Sequence, residues 1–189
     1  IRYLQTESTI MKYPIGIQSF DQIREEGYVY VDKTALVYDL VTNGTIYFLC
    51  RPRRFGKSLL LSTLENYFLG KKELFKGLAI DSLEKEWKEH PVFHIDFNGN
   101  NFTSPFELKE AIETFISMQE AKYGKNPLAT TYGNRISYVF EKAHEQTGQR
   151  VVVLIDEYDK PLLDVMNLDH YITDEEGNKV TIEDYNREI

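Results

Sequence analysis

Residues 51–59 combine the chemical groups that bind phosphate. Gly56-Lys57-Ser58 stands between a strongly apolar run and a segment with helical spacing. In that setting a glycine lets backbone amides approach phosphate oxygens, a lysine reaches the outer phosphates, and a serine hydroxyl binds magnesium. Arg51, Arg53 and Arg54 add positive charge within an acidic chain. These features predict a triphosphate site, and its candidate residues are Arg51, Pro52, Arg53, Arg54, Phe55, Gly56, Lys57, Ser58 and Leu59.

One position departs from the phosphate-loop pattern, which places a glycine five residues before the Gly-Lys-Ser unit. Arg51 occupies that position. Taken alone, Gly56-Lys57-Ser58 therefore leaves an ordinary loop that opens a helix as an alternative. The arginines favour the phosphate site, because such a group of cations at the end of a buried strand needs an anion beside it.

A second candidate element follows the most hydrophobic run of the chain, residues 151–155. Asp156 and Glu157 come directly after that run. In phosphate-loop ATPases the aspartate of such a pair orders magnesium and its water, and the glutamate polarises the attacking water. The alternative is that Asp156 only caps the next helix. Capping needs one carboxylate, whereas this segment offers Asp156, Glu157 and Asp159.

Together the two elements predict a nucleoside triphosphate and Mg²⁺ as ligands and hydrolysis of the γ-phosphate as the reaction. That the nucleotide is ATP rests on the missing guanine-specific element and on the family resemblance given below. Lys57 and Glu157 are the candidate catalytic residues. Ser58 and Asp156 are the candidate magnesium ligands, Asp156 through a water molecule. An interaction module that binds ATP as a switch without hydrolysing it stays open as an alternative. A GTPase is disfavoured, because Asn178-Lys179 is not followed by the aspartate of the guanine-specific element.

Strands and helices alternate around these motifs. Continuous apolar runs at residues 45–50, 92–97 and 151–155 predict strands buried on both faces. Helical spacing follows Ser58, Ser104 predicts the N-cap of a long helix, and a further helix precedes Gly148. Residues 171–182 predict a solvent-facing hairpin. The pattern indicates an α/β protein with a largely parallel sheet covered by helices on both faces.

Composition argues against several classes of protein. The 189 residues carry a formal charge of −8, which argues against a domain that coats nucleic acid by bulk charge. Cys50 is the single cysteine, and the four histidines lack metal-ligand spacing with it or with one another, so a zinc site is disfavoured. No apolar run is long enough to span a membrane. We expect a cytoplasmic protein without a membrane partner.

Four segments carry a family resemblance, namely Tyr13-Pro14-Ile15-Gly16, residues 30–34, residues 51–58 and residues 154–161. Over about residues 11–166 the sequence resembles the bacterial AAA-ATPase-like domain family. The resemblance implies a phosphate-loop NTPase fold, a three-layer α/β/α sandwich that is incomplete at the C-terminus of this chain. It also implies that Asp32 and Lys33 lie near the nucleotide, and that arginine at position 51 is a family feature.

The same resemblance suggests the domain organisation. We expect residues 1–10 to form an N-terminal extension and residues 11–189 to form the N-terminal portion of the AAA-ATPase-like domain, as a fragment of a longer protein. Family members typically continue into a C-terminal nuclease-like domain of the restriction-endonuclease type, and nucleic acid would bind only through that domain. Assembly into a homo-oligomer is a further expectation.

Overall fold

The computed structural model describes residues 11–50, 52, 54–104, 106–166 and 168–189. It has an α/β architecture with a small parallel sheet and several helices. The chain divides into two compact units, of which the first ends at Glu89 and the second spans His90–Ile189. Residues 1–10, Arg51, Arg53, Pro105 and Asn167 lie outside the described residues, so the predicted N-terminal extension does as well.

The described part of the first unit is helical. Its elements are α1 (Phe20–Glu25), α2 (Thr34–Asn43), α3 (Lys57–Phe68), a short 3₁₀ helix (Lys72–Phe75) and α4 (Ala79–Leu83). Ser19 caps α1, since its hydroxyl accepts the Gln22 N–H at 3.4 Å. The core is aromatic: Phe20 and Phe75 are fully buried with ring centroids 4.7 Å apart. Tyr67 of α3 meets Phe75 edge to face.

The predicted strand at residues 45–50 does not form. This segment pairs with no strand in the part of the first unit that the structure describes, and the side chains of Ile46 and Phe48 are 92% and 70% exposed. The physical reason is that a buried strand requires a partner for its backbone hydrogen bonds, and apolar residues alone do not supply one. Outside regular strands, this unit's described backbone shows a single isolated parallel bridge, between Lys12 and Tyr28.

The second unit contains strands and helices in alternation. Its elements are β1 (Val92–Asp96), α5 (Glu107–Tyr123), α6 (Tyr132–Thr147), β2 (Val152–Asp156), α7 (Lys160–Leu163), β3 (Tyr171–Thr173), β4 (Lys179–Thr181) and α8 (Ile182–Glu188). β1 and β2 are parallel, and their register runs from Val92 opposite Val152 to Asp96 opposite Asp156. The long helices α5 and α6 make the crossover that two parallel strands need. The two strands predicted in this unit and their parallel direction are confirmed, but their burial on both faces is not, because Val153 and Ile155 of β2 are 42% and 45% exposed.

The crossover helices pack against the sheet and against each other. Phe93 of β1 lies in a core cluster with Tyr123 of α5 and with Val139 and Ala143 of α6. Arg135 of α6 is buried in the helix pair, where its guanidinium donates to both carboxylate oxygens of Glu120 at 2.9 Å. This bidentate pair satisfies a charge that would be costly to bury alone.

The start of α5 differs from the prediction. Ser104 was predicted to cap it, but the helix begins at Glu107 after Phe106, whose φ of 69° is left-handed. The Glu107 carboxylate does not complete a capping box with Ser104. It instead accepts the Asn101 N–H at 3.2 Å, so this tertiary contact replaces the local cap.

The hairpin β3–β4 is confirmed as an antiparallel pair, and it leads directly into α8. Ile172 and Ile182 are buried in a cluster with Val165 and Tyr185. Among the residues described, no helix is both long and apolar enough to cross a membrane.

Candidate functional site

The phosphate-loop motif lies where α3 begins. Gly56 is the residue before the helix and has a φ of 75°, a left-handed conformation that favours glycine. The first hydrogen bond of the helix runs from the Leu60 N–H to the Gly56 carbonyl at 3.0 Å. The amides of Ser58 and Leu59 precede that bond and point out of the first turn. The helix therefore presents backbone donors and its positive dipole end where the sequence predicts phosphates.

Backbone strain accompanies this motif. Arg54 has a φ of 67°, a conformation that costs a residue with a β-carbon on the order of 1 kcal/mol. Phe55, next in the chain, is exposed. Strain of this kind is common at functional sites, although Trp87 and Phe106 elsewhere in the chain are also left-handed. Pro52 is also exposed, whereas the predictions for Arg51 and Arg53 fall on residues that the structure does not describe.

Two polar contacts fix α3 one turn after Ser58. The Ser62 hydroxyl accepts the backbone N–H of Phe20 at 2.9 Å. The Thr63 side chain is hydrogen bonded to the hydroxyl of Tyr30, a residue whose pKa is raised mainly by burial. Adjacent residues of α3 are thereby held by α1 and by the segment that leads to Asp32.

Asp32 and Thr34 join the N-termini of two helices. One Asp32 carboxylate oxygen accepts the N–H and the hydroxyl of Thr34, at 2.8 and 2.7 Å. The other accepts the Ala79 N–H at 2.7 Å, and the buried Thr34 hydroxyl accepts the Ile80 N–H at 3.1 Å. Partial burial acts to raise the pKa of Asp32, but these hydrogen bonds outweigh it and hold the pKa below its ordinary value.

We call these contacts of Asp32 and Thr34 the Asp32 clamp. The three residues Asp32, Lys33 and Thr34 have different roles in it. Asp32 and Thr34 use their oxygens to hold α2 to α4, while Lys33 is exposed at the start of α2. The Asp32 carboxylate accepts the first amide of α2, that of Thr34, although Lys33 is the residue directly before the helix. Proximity of Asp32 and Lys33 to a nucleotide stays a prediction.

The acidic pair lies at the carboxyl end of β2 in the second unit. Asp156 is 5% exposed and stands opposite Asp96, the last residue of β1. Its carboxylate accepts the N–H of Glu157 at 3.0 Å. Glu157 is half-buried and has a φ of 51°. Ligands of open α/β sheets bind at this end of parallel strands.

The structure disfavours the capping alternative for Asp156. Helix α7 begins three residues beyond Glu157, with Asp159 as the residue before it and without a side-chain cap. Asp156 is therefore too early in the chain to serve as the N-cap. Its buried carboxylate belongs to the strand end, where a turn closes through the Lys160 N–H and the Glu157 carbonyl at 3.0 Å.

The structure adds a residue whose contacts the sequence did not reveal. The Lys160 ammonium donates to the Asn100 carbonyl at 2.8 Å and is paired with Asp164. It also lies 5.5 Å from the centre of the Phe102 ring. The i,i+4 spacing of Lys160 and Asp164 is the only sequence signal of this cluster.

The predicted magnesium ligands are a hydroxyl and a carboxylate. Ser58 and Asp156 offer the hard oxygen donors that magnesium prefers. Among the described residues, no three His, Cys, Asp or Glu side chains come together as a metal-holding group.

Comparison with known proteins decides the family. The family described as "Predicted AAA-ATPase" matches residues 14–185, which is most of the chain. The chain belongs to the AAA-ATPase-like family. Membership in this family supports nucleotide binding. It also confirms the resemblance carried by the motifs around Gly56 and Asp156.

A relative of this AAA-ATPase-like chain is known from Azotobacter chroococcum mcd 1, where it is described as "Uncharacterized protein in vnfD 5'region". The two are 44% identical over 154 residues, which cover 81% of this chain and 30% of the relative. The chain thus spans about a third of the length of the relative it matches. No solved structure matches the chain.

Proposed function

We propose that this chain binds ATP with Mg²⁺ and that it hydrolyses ATP within the full-length protein. The observation that carries the proposal is the left-handed Gly56 directly before α3, in a chain of the AAA-ATPase-like family. A helix N-terminus preceded by such a glycine binds phosphate through backbone amides. In this proposal the α/β architecture of the chain is that of a phosphate-loop protein, a three-layer α/β/α sandwich.

Each residue of the motif has a separate task in the proposal. The Lys57 ammonium binds the outer phosphate oxygens and stabilises the charge that develops on them during transfer. The amides of Ser58 and Leu59 hold the phosphates, and the Ser58 hydroxyl is a ligand of the metal. Arg54, with Arg51 and Arg53, adds positive charge to the same loop. Ser58 and Asp156 would hold Mg²⁺, which would neutralise charge on the phosphates.

The acidic pair supplies the water chemistry. Asp156 would hold Mg²⁺ through a water molecule with its buried carboxylate, and Glu157 would accept a hydrogen bond from the attacking water. The water oxygen forms the new bond to the γ-phosphorus, the bond to the ADP oxygen breaks, and the water proton leaves by way of Glu157. The protein needs no covalent intermediate, because positioning and charge stabilisation carry the reaction.

Activities outside this chain belong to the proposal as well. We infer that ATP turnover drives a partner activity in the longer protein, and the family resemblance names a C-terminal nuclease-like domain for it. Cytoplasmic location, assembly into a homo-oligomer and binding of nucleic acid through that domain stay predictions.

The test compares phosphate release by the wild type and by Glu157→Gln under saturating Mg·ATP. The variant keeps the size and hydrogen-bonding capacity of the side chain but loses the charge. We expect turnover to fall by about 100-fold while ATP affinity changes by less than about twofold. Turnover that is unchanged in Glu157→Gln contradicts the catalytic role. Binding without any turnover in the wild type supports the alternative, an ATP-dependent interaction switch.

A further inference from the structure

The side chain of Lys160 connects two loops at the carboxyl end of the parallel sheet. It leaves α7, which follows β2, and reaches the loop that follows β1. There its ammonium donates to the Asn100 carbonyl at 2.8 Å and packs over the Phe102 ring at 5.5 Å from the centroid. The side chain is 22% exposed, so it lies largely away from solvent.

Asp164 completes this cluster from the next turn of the chain. Its carboxylate forms the ion pair with Lys160, and the same oxygen accepts the Phe102 N–H at 3.3 Å. Phe102 is fully buried. We name Lys160, Asp164, Asn100 and Phe102 the Lys160 clip. Because its members come from both loops, the clip fixes the start of α7 relative to the end of β1.

Glu157 lies one turn before the clip and depends on the position of α7. The Glu157 carbonyl accepts the Lys160 N–H at 3.0 Å, and the Glu157 N–H donates to Asp156 at 3.0 Å. Between these two bonds the Glu157 backbone has a φ of 51°. A residue with a β-carbon keeps such a conformation only where its surroundings over-determine it. The clip supplies that constraint on the C-terminal side of Glu157.

We propose that Lys160 is a positioning residue for Glu157, which holds the left-handed turn that directs the Glu157 carboxylate. The inference rests on the proposed function for its catalytic consequence, but its structural part concerns the turn alone. Lys160 does not act as a ligand of phosphate, because Asp164 balances its charge and the Asn100 carbonyl and Phe102 ring enclose its ammonium.

The first experiment is a double-mutant cycle in thermal stability that needs no nucleotide. Glu157→Gly removes the β-carbon that makes the left-handed turn costly, so in the wild-type background it raises Tm by about 3 °C relative to Glu157→Ala. In the Lys160→Met background the turn is released and can relax. The gain from glycine then falls below about 1 °C. An equal gain in both backgrounds overturns the proposal.

The second experiment measures ATP turnover and ATP affinity on the same proteins. Lys160→Met is expected to lower kcat at least about tenfold with less than a twofold change in the Kd for Mg·ATP, since Glu157 acts on the chemical step. Lys160→Arg, which keeps the charge and the donors, restores most of kcat. A variant that loses only Tm, with kcat per folded molecule intact, shows a purely structural role and contradicts the proposal.

Lys142→Met is the matched control. Lys142 is also paired with a carboxylate, that of Glu145, and its ammonium also lies 5.5 Å from a ring centroid, that of Tyr138. It stands on α6, away from the turn in sequence, so its loss leaves kcat and the glycine gain unchanged. If Lys160→Met does not fold, Asp164→Asn weakens the clip from its other side and gives the same two readouts.

The two proposals fail in different ways. A wild type that binds no ATP contradicts the proposed function, and the stability cycle then decides the role of Lys160 in the turn by itself. A wild type that hydrolyses ATP through Glu157, with additive Tm changes and an unaffected kcat in Lys160→Met, contradicts only the positioning role.

Discussion

The Asp156 carboxylate accepts the backbone N–H of Glu157 at 3.0 Å, and the Glu157 backbone is left-handed with a φ of 51°. The buried carboxylate of one residue of the acidic pair thus holds the other in a conformation that it would not adopt alone. The backbone conformation of Glu157 therefore depends on the Asp156 carboxylate, which the motif spacing does not show. It also makes the backbone of Glu157 testable apart from its carboxylate.

The first prediction concerns this strain. Glu157→Gly should be more stable than Glu157→Ala by about 1 kcal/mol, because glycine adopts a left-handed backbone without a steric penalty. Urea unfolding monitored by circular dichroism measures the difference, and both variants lack the carboxylate, so its loss cancels. Equal stability of the two variants would show that the left-handed turn costs nothing.

The second prediction concerns the clamp at Asp32. Thr34→Val leaves the Ile80 N–H without its acceptor in a buried setting and should destabilise the protein by about 2 kcal/mol. Thr34→Ser keeps the hydroxyl and should lose less than half of that. Thr42→Val is the control, since the Thr42 hydroxyl is exposed and bonds only to carbonyls of its own helix. A Thr34→Val protein as stable as the control contradicts the clamp.

The third prediction concerns the buried ion pair between α5 and α6. The side chains of Arg135 and Glu120 are 9% and 5% exposed. Arg135→Met should therefore destabilise the protein by about 3 kcal/mol, because it removes the bidentate partner of the buried Glu120 carboxylate and leaves it the more distant ammonium of Lys125 at 3.8 Å. Arg187→Met removes an exposed i,i+4 partner of Glu183 and should cost less than about 0.5 kcal/mol. Chemical denaturation of both variants provides the comparison.

The fourth prediction is the pH dependence of the same pair. Hydrogen bonds from Arg135 hold the pKa values of Glu120 and Glu113 below their ordinary value of 4.5. A carboxyl group with a lowered folded-state pKa contributes stability that is present above its unfolded pKa and is lost as the pH falls through its folded pKa. The stability difference between wild type and Arg135→Met should thus shrink as the pH falls below about 4.5. A constant difference down to about pH 3 contradicts this linkage.

Local signals in the sequence were sufficient for part of this structure. The sequence predicted the helix after Gly56, the strand before Asp156 and the hairpin ending at Thr181. These elements depend on turn-forming glycines and on apolar periodicity, which are signals that span only a few residues. The strand at residues 45–50 was not borne out, since strand formation depends on a partner distant in sequence. The predicted start of α5 was wrong, because the Glu107 carboxylate accepts the Asn101 N–H, a contact that the capping rules do not anticipate.

The candidate site likewise has features that the sequence predicts and features that only the structure shows. The residue types at Gly56, Lys57, Ser58, Asp156 and Glu157 predict the proposed chemistry, and the family match is consistent with nucleotide binding. The roles of these residues stay predictions. The left-handed backbones of Arg54 and Glu157 and the Lys160 clip could not be predicted. They depend on contacts such as that of Lys160 with Asn100, sixty residues earlier in the chain, which only the folded structure brings together.

The central claim is that the loop at Gly56 binds the phosphates of ATP, and calorimetric titration of the chain with Mg·ATP tests it most directly. The wild type should bind with a Kd in the micromolar range, Lys57→Ala should weaken binding at least about tenfold, and the exposed control Lys72→Ala should leave the Kd unchanged. Equal affinity in the wild type and Lys57→Ala, or no heat of binding in a folded wild type, would contradict the account.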